Sequence, residues 1–217
     1  MRIILLVLNR KKTMKHILKT LHVLLIPGAG LQWSLKRVEL AKNQLLDEDA
    51  DLIIFTGGGV VPNPIEGQPD VTEAQLMQMH YLHLNGRTDI PTLREDESKH
   101  TFENISFSIM KLRKWMHDQQ LMSDYQEVVV TIATTLDHLK RFQVSWNAIA
   151  AMTWGISNIE LKAEYVPVYG IRSITNHLIE RFFLLPLHLL SKTGEKWPVS
   201  LIFGARKKQL SRIQLSD

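Results

Sequence analysis

Continuous apolar runs alternate with amphipathic stretches along most of this chain. Val23, Leu24, Leu25 and Ile26 form the first clear run, stopped by Pro27, Gly28, Ala29 and Gly30. A run without polar alternation predicts a strand covered on both faces, as in parallel sheets. Helical spacing follows from Ser34, a good N-cap residue, through Leu35, Val38, Leu40, Ala41 and Leu45. A second strand over 51–56 is halted by Gly57, Gly58 and Gly59. Residues 60–71 hold Pro62, Pro64, Gly67 and Pro69 and read as one long loop. Thr72 then caps a helix to about Asn85, with Gly86 as its stop.

A short strand at 90–93 leads into a polar stretch over 94–100. Ser98 or Thr101 is the expected cap of the next helix, whose apolar face is Phe102, Ile105, Ile109, Leu112 and Met116. The strongest strand covers 128–133, and a helix over 137–152 follows it. A strand at 159–168 and a helix over 173–185 complete the pattern, with Pro186 interrupting the helix. The chain after Ser191 is less legible, although Val199 to Phe203 has strand character. Strand and helix thus alternate about five times, which predicts an α/β, Rossmann-like three-layer sandwich with a mostly parallel sheet of about five strands. The expected organisation is an N-terminal appendage over 1–20, one α/β domain over 21–190 and a tail over 191–217.

Composition narrows the function classes. With 217 residues and 45% hydrophobic content, the chain has material for a sizeable core. It has no cysteine, which excludes disulfides, cysteine–zinc sites, iron–sulfur clusters and thiol catalysis. A net charge of +4 permits anionic partners without demanding them. The Ile3 to Leu8 run is far shorter than the ~20 residues of a spanning helix, so no transmembrane segment is expected. Peripheral membrane contact through Phe182 to Leu187 or the basic tail at Arg206, Lys207 and Lys208 stays open. That tail is too short to be a strong nucleic-acid signal. His80 and His83 share a helix face but lack an obvious third ligand, so no metal is assigned. A G-x-S-x-G elbow and a Walker lysine are both absent.

Chemistry-bearing residues gather where strands end, the place where open α/β sheets bind ligands. Gly28 and Gly30 precede a helix carrying Arg37, which reads either as a tight turn or as a seat for an anion. Thr56, Gly57 and Gly58 end the second strand, and the three consecutive glycines through Gly59 read either as close backbone approach by something or as a flexible loop start. Glu73 opens the following helix. Glu95, Ser98, Thr101, Glu103 and Asn104 form a polar cluster, either a solvated loop with capping residues or carboxylates, Glu95 and Glu103, turned into the crevice as base, metal ligand or ribose-hydroxyl acceptor. Thr134 and Thr135 end the strongest strand, and His138 and Arg141 follow three residues apart on one helix face. Histidine exchanges protons near neutrality, so His138 is the first candidate acid or base, with Glu95 and Glu103 beside it.

Together these clusters resemble the SanA/YdcF-like family, a domain of unknown function. The likeness rests on Gly28, Gly30, Arg37 and Ala41; on Thr56, Gly57 and Gly58; on Thr72, Glu73 and Ala74; on Glu95, Ser98, Thr101, Glu103 and Asn104; and on Thr134, Thr135, His138 and Arg141. It covers roughly residues 22–170. Trp33, the 60–71 segment and the Thr135, Leu136, Asp137 turn depart from the family pattern. The resemblance implies a Rossmann-like fold with a polar pocket for a small anionic, nucleotide-like ligand. One member is described as binding S-adenosylmethionine, the one candidate cofactor the resemblance offers. His138, Glu103 and Glu95 are then the candidate catalytic groups. Gly28, Gly30, Arg37, Thr56, Gly57, Gly58, Glu73, Ser98, Thr101, Asn104, Thr134, Thr135 and Arg141 are the candidate ligand contacts. A cytoplasmic location goes with this reading. Two other classes stay open: a hydrolase or transferase of a phosphate-bearing cell-envelope precursor, and a non-catalytic interaction module.

Overall fold

The computed structural model describes residues 19–168, apart from Leu45. The expected helix over 173–185, the strand character at 199–203, the tail and residues 1–18 lie outside the described residues. Among the described residues seven strands and four helices follow one another: β1 (Lys19–Pro27), α1 (Leu31–Asn43), β2 (Leu52–Thr56), β3 (Val60–Val61), β4 (Val71–Thr72), α2 (Glu73–His83), β5 (Thr92–Glu95), α3 (Thr101–Asp118), β6 (Tyr125–Thr135), α4 (Leu136–Trp154) and β7 (Glu160–Val168). Five of the strands form one sheet in the order β5-β2-β1-β6-β7. Every pairing in it is parallel, with Val23 beside Leu52, Leu25 beside Ile132, Phe55 beside Arg94 and Ala133 beside Val166. The expected Rossmann-like sandwich is therefore present. No helix among the described residues is long and apolar enough to cross a membrane.

The apolar runs are continuous because both faces of the sheet are covered. In β1, Leu21, Val23 and Leu25 pack with Ile105, Ile109, Leu112 and Met116 of α3 and with Phe142, Trp146 and Trp154 of α4. Leu24 and Ile26 turn the other way, onto Val38 and Ala41 of α1 and Ala74, Met77 and Tyr81 of α2. Strand β2 splits in the same manner, Leu52 and Ile54 to one layer and Ile53 and Phe55 to the other. Side chains alternate along a strand, so a strand between two helical layers must be apolar at every position.

Several boundaries differ from the sequence reading. β1 starts at Lys19, within the expected appendage, because its polar first residues, Lys19 and Thr20, pair with Tyr125 and Glu127 of β6. The 60–71 segment is not wholly loop: β3 and β4 pair antiparallel at its two ends, Val60 with Thr72 and Val61 with Val71. Val61 and Val71 seat this hairpin on Leu76 of α2 and Leu35 of α1. α1 begins at Leu31, three residues before Ser34, and its N-cap is Gly30. Gly30 has φ +82° and ψ 164°, a conformation that is essentially glycine's alone. Ser34 instead accepts the Ala29 backbone N–H at 3.0 Å through Oγ, locking the turn from inside the helix. α3 is capped by neither Ser98 nor Thr101; His100 is its N-cap residue, and Thr101 is the first helical residue.

Candidate functional site

Strand order reverses direction of growth between β1 and β6, so the crevice beyond their carboxyl ends is the sheet's topological switch point. α1 and α4 both start there, and both lack a side-chain cap on their first N–H groups. Arg37 lies across this crevice and is 0% exposed. Its Nη1 donates to the Pro27 and Gly28 carbonyls at 2.6 and 3.1 Å. Its Nη2 donates to Thr135 Oγ1 at 3.1 Å and faces His138 Nδ1 at 2.9 Å. One guanidinium thus ties the β1–α1 turn to the β6–α4 junction. Nε has no hydrogen-bond partner among the described residues. Burial lowers the Arg37 pKa to about 9, opposed by Glu73 and furthered by Arg141, which leaves it charged at neutral pH.

That contact settles the state of His138. A guanidinium only donates, so Nδ1 must accept, and the ring proton sits on Nε2. Burial first, then the charges of Arg37 and Arg141, push the His138 pKa down to about 3. The expectation of a proton exchanger near neutrality therefore gives way to a fixed neutral ring with one N–H to offer. Arg141, partly exposed one turn further along α4, has no hydrogen bond or ion pair among the described residues. Thr135 Oγ1 is occupied by Arg37, and Thr134 is buried with Oγ1 unpartnered among the described residues.

Glu73 supplies the crevice's carboxylate. It is the first residue of α2, and its Oε1 accepts the Gly30 N–H at the start of α1. Its own backbone N–H donates to the Gly59 carbonyl at 2.8 Å, and that of Ala74 to Gly57 at 3.0 Å. A Cβ at Gly28 would collide with the Glu73 carboxylate, one at Gly57 would lie 2.7 Å from its Oε2, and one at Gly59 would lie 3.0 Å from its Cδ. The close approach that the glycines imply is thus made by a side chain of this chain. Gly59 was the missed member of this cage, and its signal was the third consecutive glycine. Burial raises the Glu73 pKa, while the Gly30 N–H and the Arg37 charge hold it down.

The Glu95 cluster does something else. Glu95 is 0% exposed at the end of β5. Its Oε1 accepts the N–H groups of Glu97 and Ser98 at 2.7 and 2.9 Å. Its Oε2 accepts the Thr56 hydroxyl at 2.5 Å and the Ser98 hydroxyl. Four donors saturate this carboxylate, so it clips the 96–98 segment to the end of β2 instead of turning into the crevice. Gly58 belongs to the same clip: its N–H donates to the Ser98 carbonyl at 2.7 Å, and a Cβ there would meet the Asp96 carbonyl. Glu103 accepts the Lys99 N–H at 2.7 Å in the first turn of α3. Asn104 is buried, with its carbonyl 3.5 Å from the Thr56 hydroxyl. The candidate residues therefore divide: Gly28, Gly30, Arg37, Gly57, Glu73, Thr135, His138 and Arg141 meet at the switch point, whereas Thr56, Gly58, Glu95, Ser98, Glu103 and Asn104 build the neighbouring strand-end junction, with Thr101 opening α3 beside it and Thr134 buried at the end of β6.

His80 and His83 stack at 6.4 Å, and His80 Nε2 lies 3.2 Å from Glu39 Oε1. Among the described residues no group of three or more His, Asp or Glu side chains is placed to hold a metal ion. No family model, no curated protein and no solved structure matches this chain.

Proposed function

We propose that this protein binds a small anionic, nucleotide-like ligand at the switch point between β1 and β6, in the manner the SanA/YdcF-like resemblance implies. One observation carries the reading: the crevice holds two guanidinium groups, two uncapped helix N-termini and one carboxylate, and Arg141 has no partner among the described residues. Positive potential without a matching anion favours a negatively charged ligand. His138 would offer its Nε2–H to the same group, and Arg37, whose two Nη atoms are taken up by the chain, would position both lips of the crevice. S-adenosylmethionine, nucleotides and sugar phosphates are the ligand classes to try, and a cytoplasmic setting suits them. The test is a thermal-shift series with these compounds on the wild-type chain and on Arg141→Ala. A ligand that binds only the folded state raises the midpoint. Arg141→Ala should weaken binding by about 1–3 kcal/mol, the worth of a charge-assisted hydrogen bond. It should leave the melting temperature of the empty protein nearly unchanged. Equal binding by both proteins would remove Arg141 from the site.

A further inference from the structure

Glu73 occupies the position where an anion would otherwise sit. Its carboxylate takes the Gly30 N–H at the start of α1 and lies near the buried Arg37 charge. The glycine cage admits no alternative side chain beside it and holds it in place from the β1–α1 and β2–β3 turns. An incoming oxyanion drawn to the N-terminus of α1 beside Arg37 meets this negative charge, because Glu73 already holds the Gly30 N–H there. Two like charges sharing one low-dielectric site cannot both stay ionised cheaply, and the weaker acid takes up a proton.

We infer that Glu73 makes ligand binding proton-linked: the site accepts an oxyanion together with one proton on the Glu73 carboxyl. The shared chemistry is a phosphoryl, sulfonyl or carboxyl group, and the inference rests on the anion reading above. Protonated, Glu73 turns from a repelling charge into a hydrogen-bond donor, while the burial that already raises its pKa favours the neutral form. The other groups around it do not supply this proton. Arg37 on α1 stays charged, and His138 on α4 is held neutral beside it, far below its usual range. Arg141 on α4 is the second guanidinium of the crevice, and its charge acts on both Arg37 and His138. Asp96, after β5, is engaged by the Thr72 hydroxyl at 2.5 Å and by Arg94 Nε at 2.7 Å.

The experiment is sulfate binding to the full chain by calorimetry between about pH 5.5 and 8.5, where sulfate itself does not titrate, in buffers of differing ionisation enthalpy. Wild type should bind more tightly as pH falls, by up to about tenfold per unit, with net proton uptake. Glu73→Gln keeps the size and the acceptor for Gly30, and should bind sulfate with no pH slope and no proton uptake. Arg141→Ala should lose affinity at every pH but keep the slope. A Glu73→Gln variant retaining the wild-type slope, or a wild type that binds sulfate with no slope, overturns the inference and leaves the anion reading standing. Absence of sulfate binding in both wild type and Glu73→Gln overturns the anion reading itself. If Glu73→Gln fails to fold, wild-type proton uptake decides: a value near zero overturns the inference.

Discussion

Burying a guanidinium with only neutral groups in contact is costly, and Arg37 shows how the cost is met. Both Nη atoms are saturated by two carbonyls, a hydroxyl and an imidazole nitrogen. The imidazole contact has a consequence for stability. The folded protein holds His138 near pKa 3, against an ordinary 6.5. A histidine whose pKa is lowered by folding contributes stability that is present above pH 6.5 and is lost as pH falls toward 3. Glu73 acts oppositely, because its raised pKa makes the folded state bind a proton more readily than the unfolded chain. We therefore expect denaturant midpoints of wild type to fall on acidification more steeply than those of His138→Gln, whose side-chain carbonyl can still accept from Arg37. Parallel pH profiles for the two proteins would show that His138 is not held neutral.

Turns and strand ends, the element scale, divide into two kinds of construction. The end of β5 is built around one saturated carboxylate. Replacing Glu95 with Ala leaves four buried or half-buried donors unmatched, and each such loss costs about 1–3 kcal/mol. Thermal unfolding of Glu95→Ala should show a loss of at least about 3 kcal/mol, among the largest single-residue effects outside the core. A loss below about 1 kcal/mol would mean that water replaces the carboxylate easily. The end of β1 is built around close approach. Gly28→Ala drives a methyl group into Glu73, whereas Gly30 has open space beside it and only its positive φ to lose. Gly30→Ala should cost about 1–3 kcal/mol in backbone strain alone. Gly28→Ala should also displace Glu73, so it alone should change the pH dependence of sulfate affinity. The two variants would be told apart by calorimetry, not by their melting temperatures.

On the scale of the whole molecule, β1 and β6 are the centre of the sheet, and the switch point lies between them. From Leu21 to Ile26 only His22 of β1 is exposed, and Val128 to Thr135 of β6 stays largely enclosed between the helical layers. Their backbone amides should exchange with solvent only through global unfolding. The β3–β4 hairpin is two residues deep on each strand and leaves Val60 71% exposed and Ile65 55% exposed. Its amides should open locally at much lower free energy. Hydrogen exchange with mass-spectrometric readout checks this ordering, and equal protection of hairpin and β1 would contradict it. The rigid pair of strands holds Thr135 and leads directly into the helices that bear Arg37 and His138, so their mutual geometry should survive opening of the hairpin nearby.

Much of this arrangement follows from local sequence. Val23 to Ile26, Ile53 to Phe55 and Val128 to Ile132 have no polar interruption beyond Thr131, and only a strand between two layers asks for that pattern. The order of strands and helices then requires parallel pairing, and parallel pairing puts Gly28, Thr56, Glu95 and Thr135 at one end of the sheet. Sequence also marks Glu73, Arg37, His138 and Arg141 as unusual for their places. It does not say which carboxylate faces which cation. Glu95 and Glu103 lie in the richest polar stretch and look like the acidic half of the site. Only the tertiary structure shows Glu95 consumed by Thr56, Ser98 and Glu97, and Glu73 reaching 43 residues back to Gly30. The reason is physical. Strand and helix formation depend on neighbours within a few residues, whereas the partner, burial and protonation of a charged group depend on what the fold brings against it from distant segments.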